Sequence, residues 1–148
     1  RETRAGLILM HMLGEPKTMQ EAPVYDDVVA EVKAYLAERV TAAVEAGIER
    51  DRLAIDPGLG FGKRFEHSMA LMRDTDAFLD LGLPLVVGPS RKSFIGEALD
   101  GAPIDRRMEG TLGAVAWMAA RGAHVVRVHD VEPTVKLLRV LDAIRTSL

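Results

Sequence analysis

Four times along the chain a short apolar run gives way to glycine-rich or polar residues, and then to a stretch whose apolar positions recur three and four residues apart. The first run, Ala5 to Met10, is continuous, the pattern of a strand covered on both faces. From Tyr25 to Gly47, Val28, Val32, Leu36, Val40, Ala43 and Val44 follow helical spacing, with Asp26 or Asp27 able to cap the start and Gly47 the stop. The unit recurs with a strand over Arg52 to Asp56, a glycine-rich loop and a helix over His67 to Asp80 that Gly82 ends. A third strand covers Leu83 to Gly88, followed by a short helix near Lys92 to Leu99 and a longer one from Asp105 to Arg121, with Gly122 as its stop. The last unit is a strand over Ala123 to Val128 and a helix from Glu132 to Ile144, with Pro133 tolerated in its first turn.

Repeated strand and helix units at this spacing predict parallel strands joined by right-handed crossovers, so the class is α/β. The pattern leaves open an open doubly wound sheet or part of a (β/α)8 barrel. A whole barrel needs about 250 residues, so four units make half of one. At 148 residues, 48% apolar and 28% charged, the chain has the composition of one globular domain. The net charge of -3 provides no broad basic field for nucleic acid, so basic residues matter only in local clusters. The absence of cysteine excludes disulfide frameworks, thiolate nucleophiles and cysteine-based zinc sites. No apolar run approaches a membrane span, and Arg1-Glu2-Thr3-Arg4 opens without an apolar signal segment, so a soluble, cytoplasmic protein is expected. Position 1 is not methionine and the first strand begins almost at once, which suggests an upstream part.

In either architecture ligands bind beyond the carboxyl ends of the strands. Those ends read Met10-His11-Met12-Leu13-Gly14, Asp56-Pro57-Gly58, Gly88-Pro89-Ser90-Arg91-Lys92 and Arg127-Val128-His129-Asp130. Asp56 is a carboxylate at a strand end beside Gly58, Gly60 and Gly62, suited to accept two parallel hydrogen bonds from a guanidinium-like edge. Alternatively, it caps the turn that follows, and the glycines are backbone punctuation. Ser90, Arg91 and Lys92 stand where a strand hands over to a helix and could bind an anion. Arg127 and His129, two apart, share one face and form a clamp for an oxyanion or pyrophosphate. The competing readings are an ion pair for Arg91 with an acidic neighbour and a helix-entry role for His129. Met10 is read as an apolar ligand wall, with Met12 and Met19 undecided; His11, His67 and His124 are read as structural, since no second histidine stands at metal-ligand spacing. Trp117 is expected in the core or at a helix interface, and Arg106-Arg107 in a solvated first helical turn.

Met10-His11-Met12 with Gly14 and Pro16-Lys17-Thr18-Met19-Gln20, then Asp56 to Lys63, then Ser90-Arg91-Lys92-Ser93, then Arg127-Val128-His129-Asp130-Val131, in this order, resemble dihydropteroate synthase over nearly the whole chain. The resemblance implies that residues 1–148 are a partial pterin-binding domain, the C-terminal half (strands five to eight) of a (β/α)8 TIM barrel. It implies a folate-pathway transferase that condenses 6-hydroxymethyl-7,8-dihydropterin diphosphate with 4-aminobenzoate, giving dihydropteroate and pyrophosphate. By that resemblance Asp56 and Lys92 bind the pterin, with Met10, Phe61 and Gly88 shaping its slot. Arg127 and His129 hold the diphosphate, and Ser90 and Arg91 lie on the aminobenzoate side.

The family's first half supplies an aspartate and an asparagine to the pterin pocket, two mobile loops, and an asparagine associated with magnesium. The resemblance therefore implies Mg2+ as a cofactor with its protein ligand in that half, no metal ligand among these residues, and activity only in a longer chain. A homodimer acting on small molecules, without nucleic acid or membrane, completes the expectation. The alternatives are a non-catalytic pterin or phosphate-binding module and a pterin-dependent methyltransferase domain; the second fits less well, because a methyl carrier supplies no diphosphate for Arg127 and His129.

Overall fold

The computed structural model describes residues 3–15, 17–19 and 21–147; Arg1, Glu2, Pro16, Gln20 and Leu148, which include two positions of the Pro16 to Gln20 motif, lie outside them. Strands β1 (Leu7–Met10) and β2 (Leu53–Asp56) pair in parallel, with Met10 opposite Asp56. Strands β3 (Val86–Val87) and β4 (Val125–Val126) form a second parallel pair, and the bridge between Ile55 and Leu85 joins the two. The strands therefore lie side by side in chain order. A doubly wound sheet reverses its order at a switch point; sequential order with a crossover after each strand is the order of a barrel, and no reversal occurs among the described strands.

Helix α1 (Val28–Glu45) buries Val28, Val32, Leu36 and Val40, one residue per turn against the sheet. Asp27 is its cap: the carboxylate accepts from the amides of Val29 and Ala30, both at 3.0 Å, and Glu31 reaches back to the amides of Asp26 and Asp27. Val44, expected on the buried face, is exposed, because the helix outruns the core at its C-terminal end. Helix α2 (Phe65–Arg73) is shorter than its periodicity predicts and gives way to a 3-10 segment, Thr75–Leu81. The Thr75 hydroxyl donates to the Met72 carbonyl at 2.7 Å, and this local bond competes with continuation of the α-helix. Phe78 still reaches the core, and Gly82 ends the segment in the left-handed conformation, as expected.

Helices α3 (Ser93–Ala98), α4 (Met108–Ala120) and α5 (Val131–Thr146) complete the units. The third and fourth strands are shorter than the apolar runs suggest. Pro84 has no amide to donate, the Leu85 amide goes to His124 Nδ1 at 3.1 Å, and the ladder starts only after them. His124 is thus structural, as read. Two other expectations change. The strand over Ala5 to Met10 is not covered on both faces: Ile8 is 54% exposed, on the inner wall of a sheet that does not close. Arg107 is not solvated; its guanidinium lies across Gly96 and donates to the carbonyls of Ala102 and Arg91 at 2.8 and 3.1 Å. Trp117 is at a helix interface, donating from Nε1 to the Met72 carbonyl at 3.0 Å, yet about half exposed.

Candidate functional site

Side chains alternate across a strand, so Ile8, Met10, Ala54 and Asp56 share the inner face, away from the helices that cover Leu53 and Ile55. Asp56 ends β2 on that face and is almost fully buried. One carboxylate oxygen accepts from the Gly58 amide at 2.8 Å and the other from an Arg127 guanidinium nitrogen at 3.1 Å. Burial pushes the Asp56 carboxyl above the usual range; the Gly58 amide and the cations Arg127, Lys63 and Lys92 oppose that shift. The turn-capping and ligand-facing readings of Asp56 are therefore compatible: one oxygen caps, and the second faces the half-exposed Arg127 guanidinium.

The loop after Asp56 is pressed against the chain leaving β1. At Gly58, with φ of +70°, a Cβ would fall 1.9 Å from the His11 carbonyl oxygen, so only glycine fits. Gly62 is also pressed against Leu13, whose carbonyl oxygen a Cβ would meet at 2.5 Å, and its own carbonyl accepts from the Tyr25 hydroxyl at 2.8 Å. Between them the Phe61 ring lies 3.7 Å beneath the Lys92 ammonium, a cation-π contact. Burial, and then Arg127, lower the Lys92 pKa, while Asp56 raises it.

The chain beyond β4 continues the ladder through the Arg127 amide, which donates to the Val87 carbonyl at 2.9 Å. Arg127 and His129 thus lie past the strand rather than within it, but on one wall of the same cleft. The Arg127 guanidinium lies so close to Gly88 that a Cβ there would meet it at 3.1 Å. Ser90 Oγ accepts from the His129 amide at 3.1 Å and lies 2.9 Å from His129 Nδ1. With the hydroxyl donating to Nδ1, the ring proton sits on Nε2.

Arg91 turns away from this arrangement. It makes a two-point ion pair with Asp130, at 3.1 and 2.6 Å, and its backbone takes φ of +58°. Hydrogen bonding to Arg91 holds the Asp130 carboxyl below the usual range. The Thr111 hydroxyl accepts the Arg91 amide, and Arg107 donates to the Arg91 carbonyl. The acidic-neighbour reading of Arg91 holds for this conformation.

A cleft of about 370 Å3 at the rim is lined by Met10, Phe61, Gly88, Ser90, Lys92, Arg127, Val128 and His129. Of the nine residues given a substrate role from sequence, Asp56, which lies behind Arg127, and Arg91 are not in its wall. Met12 and Met19 do not line it. One group was given no role by the sequence reading. Lys63 closes the glycine-rich run and is buried, its Nζ 2.9 Å from His11 Nδ1 and 3.1 Å from the Phe61 carbonyl. Burial lowers Lys63 to about 7 and His11 to about 4. The only signal was a lysine at the end of a run of glycines, which says nothing of burial.

A magnesium ion does not fit the described residues. None of them form a group of three or more potential carboxylate or imidazole ligands, and both Asp56 oxygens are already engaged.

The model of a family described as pterin binding enzyme matches residues 1–129. Dihydropteroate synthase of Escherichia coli K12 is 48% identical over 142 residues, covering 96% of this chain and 50% of its own length. That of Neisseria meningitidis serogroup B is 45% identical over 151 residues, covering 100% of this chain and 53% of its own. Among solved structures, the Yersinia pestis synthase with a sulfonamide drug complex superposes with a TM-score of 0.96 at 37% identity, covering 99% of this chain and 53% of that one. The Xanthomonas albilineans synthase in complex with 7,8-dihydropteroate gives 0.90 at 42% identity, covering 97% and 52%. The fold is accordingly half of that TIM barrel, and the chain, which spans about half the length of the relatives it matches, belongs to the dihydropteroate synthase family of pterin-binding enzymes.

Proposed function

We propose that this chain supplies the diphosphate wall and one carboxylate of a dihydropteroate synthase site. The observation that carries the reading is a rim cleft walled by Lys92, Arg127 and His129, with the buried Asp56 carboxylate bonded to Arg127 behind it. In this reading residues 1–148 are one partial pterin-binding domain. Asp56 exchanges its Arg127 contact for the amino-pyrimidinone edge of the pterin, which offers two parallel donors. Lys92 binds the pterin from the other side, and Met10, Phe61 and Gly88 bound its slot.

The freed Arg127 guanidinium and His129 Nε2 bind the diphosphate. The amine of 4-aminobenzoate attacks the pterin methylene, a C–N bond forms as the C–O bond to the diphosphate breaks, the pair of electrons leaves on pyrophosphate, and the new ammonium loses one proton to solvent or to the departing pyrophosphate. Negative charge grows on the leaving oxygen, where preorganised cations favour the transition state. The nucleophile needs no activating serine or thiol, so positioning supplies much of the rest. Ser90 fixes the His129 tautomer and borders the aminobenzoate, and Arg91 joins it there on leaving its pair with Asp130.

Magnesium enters this reading only through the family, with its ligand outside the described residues. A homodimer belongs to it too, supported by an apolar groove of about 740 Å3 between α2, α3 and α4 that includes Trp117 and Leu99. So does residence in the cytoplasm, because a multiply charged diphosphate ester does not cross a membrane unaided.

Steady-state kinetics of the full-length chain that carries these residues test the assignment. A lost charge-assisted bond is worth about 1.5–3 kcal/mol, so Lys92→Ala and Arg127→Ala should each lower kcat/KM for the pterin diphosphate by about 10- to 100-fold. Unchanged kcat/KM in both variants would refute the site.

A further inference from the structure

We infer that Lys63 is a positioning residue for the pterin slot, acting as a hydrogen-bonded staple between His11 at the end of β1 and the loop that carries Phe61. The inference rests on the proposed pterin role of Asp56 and deepens it.

Lys63 is only 4% exposed, and its partners are a ring nitrogen and a carbonyl rather than a carboxylate. An amine or an ammonium can donate both bonds, so the staple holds in either protonation state. At one end it is anchored in a rigid surround: the His11 ring packs edge-on against Tyr35 with centroids 4.8 Å apart and tilts against Tyr25 at 6.1 Å. Tyr25 in turn holds the Gly62 carbonyl. At the other end Lys63 fixes the Phe61 carbonyl, and the Phe61 ring is the surface on which Lys92 rests.

The loop so held begins at Asp56 and returns the Gly58 amide to the Asp56 carboxylate. Without the staple, Phe61 and the Gly58 amide lose their fixed end, and the two pterin-side groups, Asp56 and Lys92, lose their relative position. The diphosphate wall touches this loop through the Arg127 bond to Asp56 but has holds of its own, Ser90 on His129 and the β3–β4 ladder. The effect should therefore fall on pterin binding and spare the aminobenzoate.

The test is a double-mutant cycle in the full-length chain with Lys63→Met, which keeps length and volume, and His11→Phe, which keeps the ring. Each single variant is expected to raise KM for the pterin diphosphate about tenfold while KM for 4-aminobenzoate stays within about twofold. The double variant should be no worse than either single, because both break one link. His11→Asn, whose side-chain oxygen can stand in for Nδ1, should bring KM back to within about threefold of wild type, and it decides the matter should His11→Phe fail to fold. An unchanged pterin KM in Lys63→Met, multiplicative effects in the double variant, an equal rise for both substrates, or no rescue by asparagine would each overturn the inference. Asp56→Asn is the control: if it leaves pterin KM untouched, the site reading itself falls; if it weakens the pterin and Lys63→Met does not, the staple alone falls.

Discussion

Asp56 and Lys63 face opposite costs of the same burial. Burial raises the Asp56 carboxyl against the Gly58 amide and three nearby cations, and it lowers Lys63 to about 7, where Asp56 opposes the shift and Lys92 adds to it. A lysine whose folded pKa lies below its ordinary value near 10.5 binds its proton more weakly in the native state. Its contribution to stability is complete above pH 10.5, declines as the unfolded chain takes up the proton, and levels off once pH falls through about 7. Lys63→Met removes that titration. Its unfolding free energy relative to wild type should therefore rise by up to about 5 kcal/mol as pH falls from 10.5 to 7, then stay flat. Urea unfolding at half-unit pH steps checks this; a difference that is level across the window would show that Lys63 is not held in a desolvated site.

At the scale of the element, α1 is fastened by one residue. Asp27 satisfies two amides of the first turn and Glu31 returns to the amide of Asp27 itself, so Asp27→Ala should cost about 1 kcal/mol of stability. Because the cap is exposed and does not line the cleft, KM for the pterin diphosphate should be unchanged; urea midpoints and kinetics on the same preparation read both. The cap, the buried stripe from Val28 to Val40 and the stops at Gly47 and Gly82 were legible in the sequence, since each rests on local spacing or on a single backbone requirement. The break after Arg73 was not, because it depends on which carbonyl the Thr75 hydroxyl finds. Arg107 was misread for a related reason: two adjacent arginines look alike until Gly96 opens a seat for only one of them. In the cleft, Met10, Gly88, Ser90, Lys92, Arg127 and His129 were legible as residues at strand ends, and Phe61 only through the family resemblance. The His11–Lys63 contact joins positions 52 apart and left no periodic trace.

Over the whole molecule, strands in chain order make a curved wall whose inner face is only partly covered. Ile8 and Val125 are about half exposed and line one apolar hollow with Val86, Val135 and Leu138. Among the described residues β1 and β4 each pair on one side only, which leaves open backbone edges at both ends of the sheet. In a closed barrel the same faces are filled by side chains from the remaining strands and no edge persists. A polypeptide of residues 1–148 should therefore bind a dye that reports exposed apolar surface, and mixing it with the first four units of the Escherichia coli relative should quench that signal as the edges pair. The mixture should elute as a one-to-one complex and convert pterin diphosphate and 4-aminobenzoate to dihydropteroate, with neither half active alone. If residues 1–148 alone turned over substrate at the rate of the mixture, these four units would hold every group the chemistry requires, and Asp56, Lys92, Arg127 and His129 would have to be a whole site rather than one wall of it.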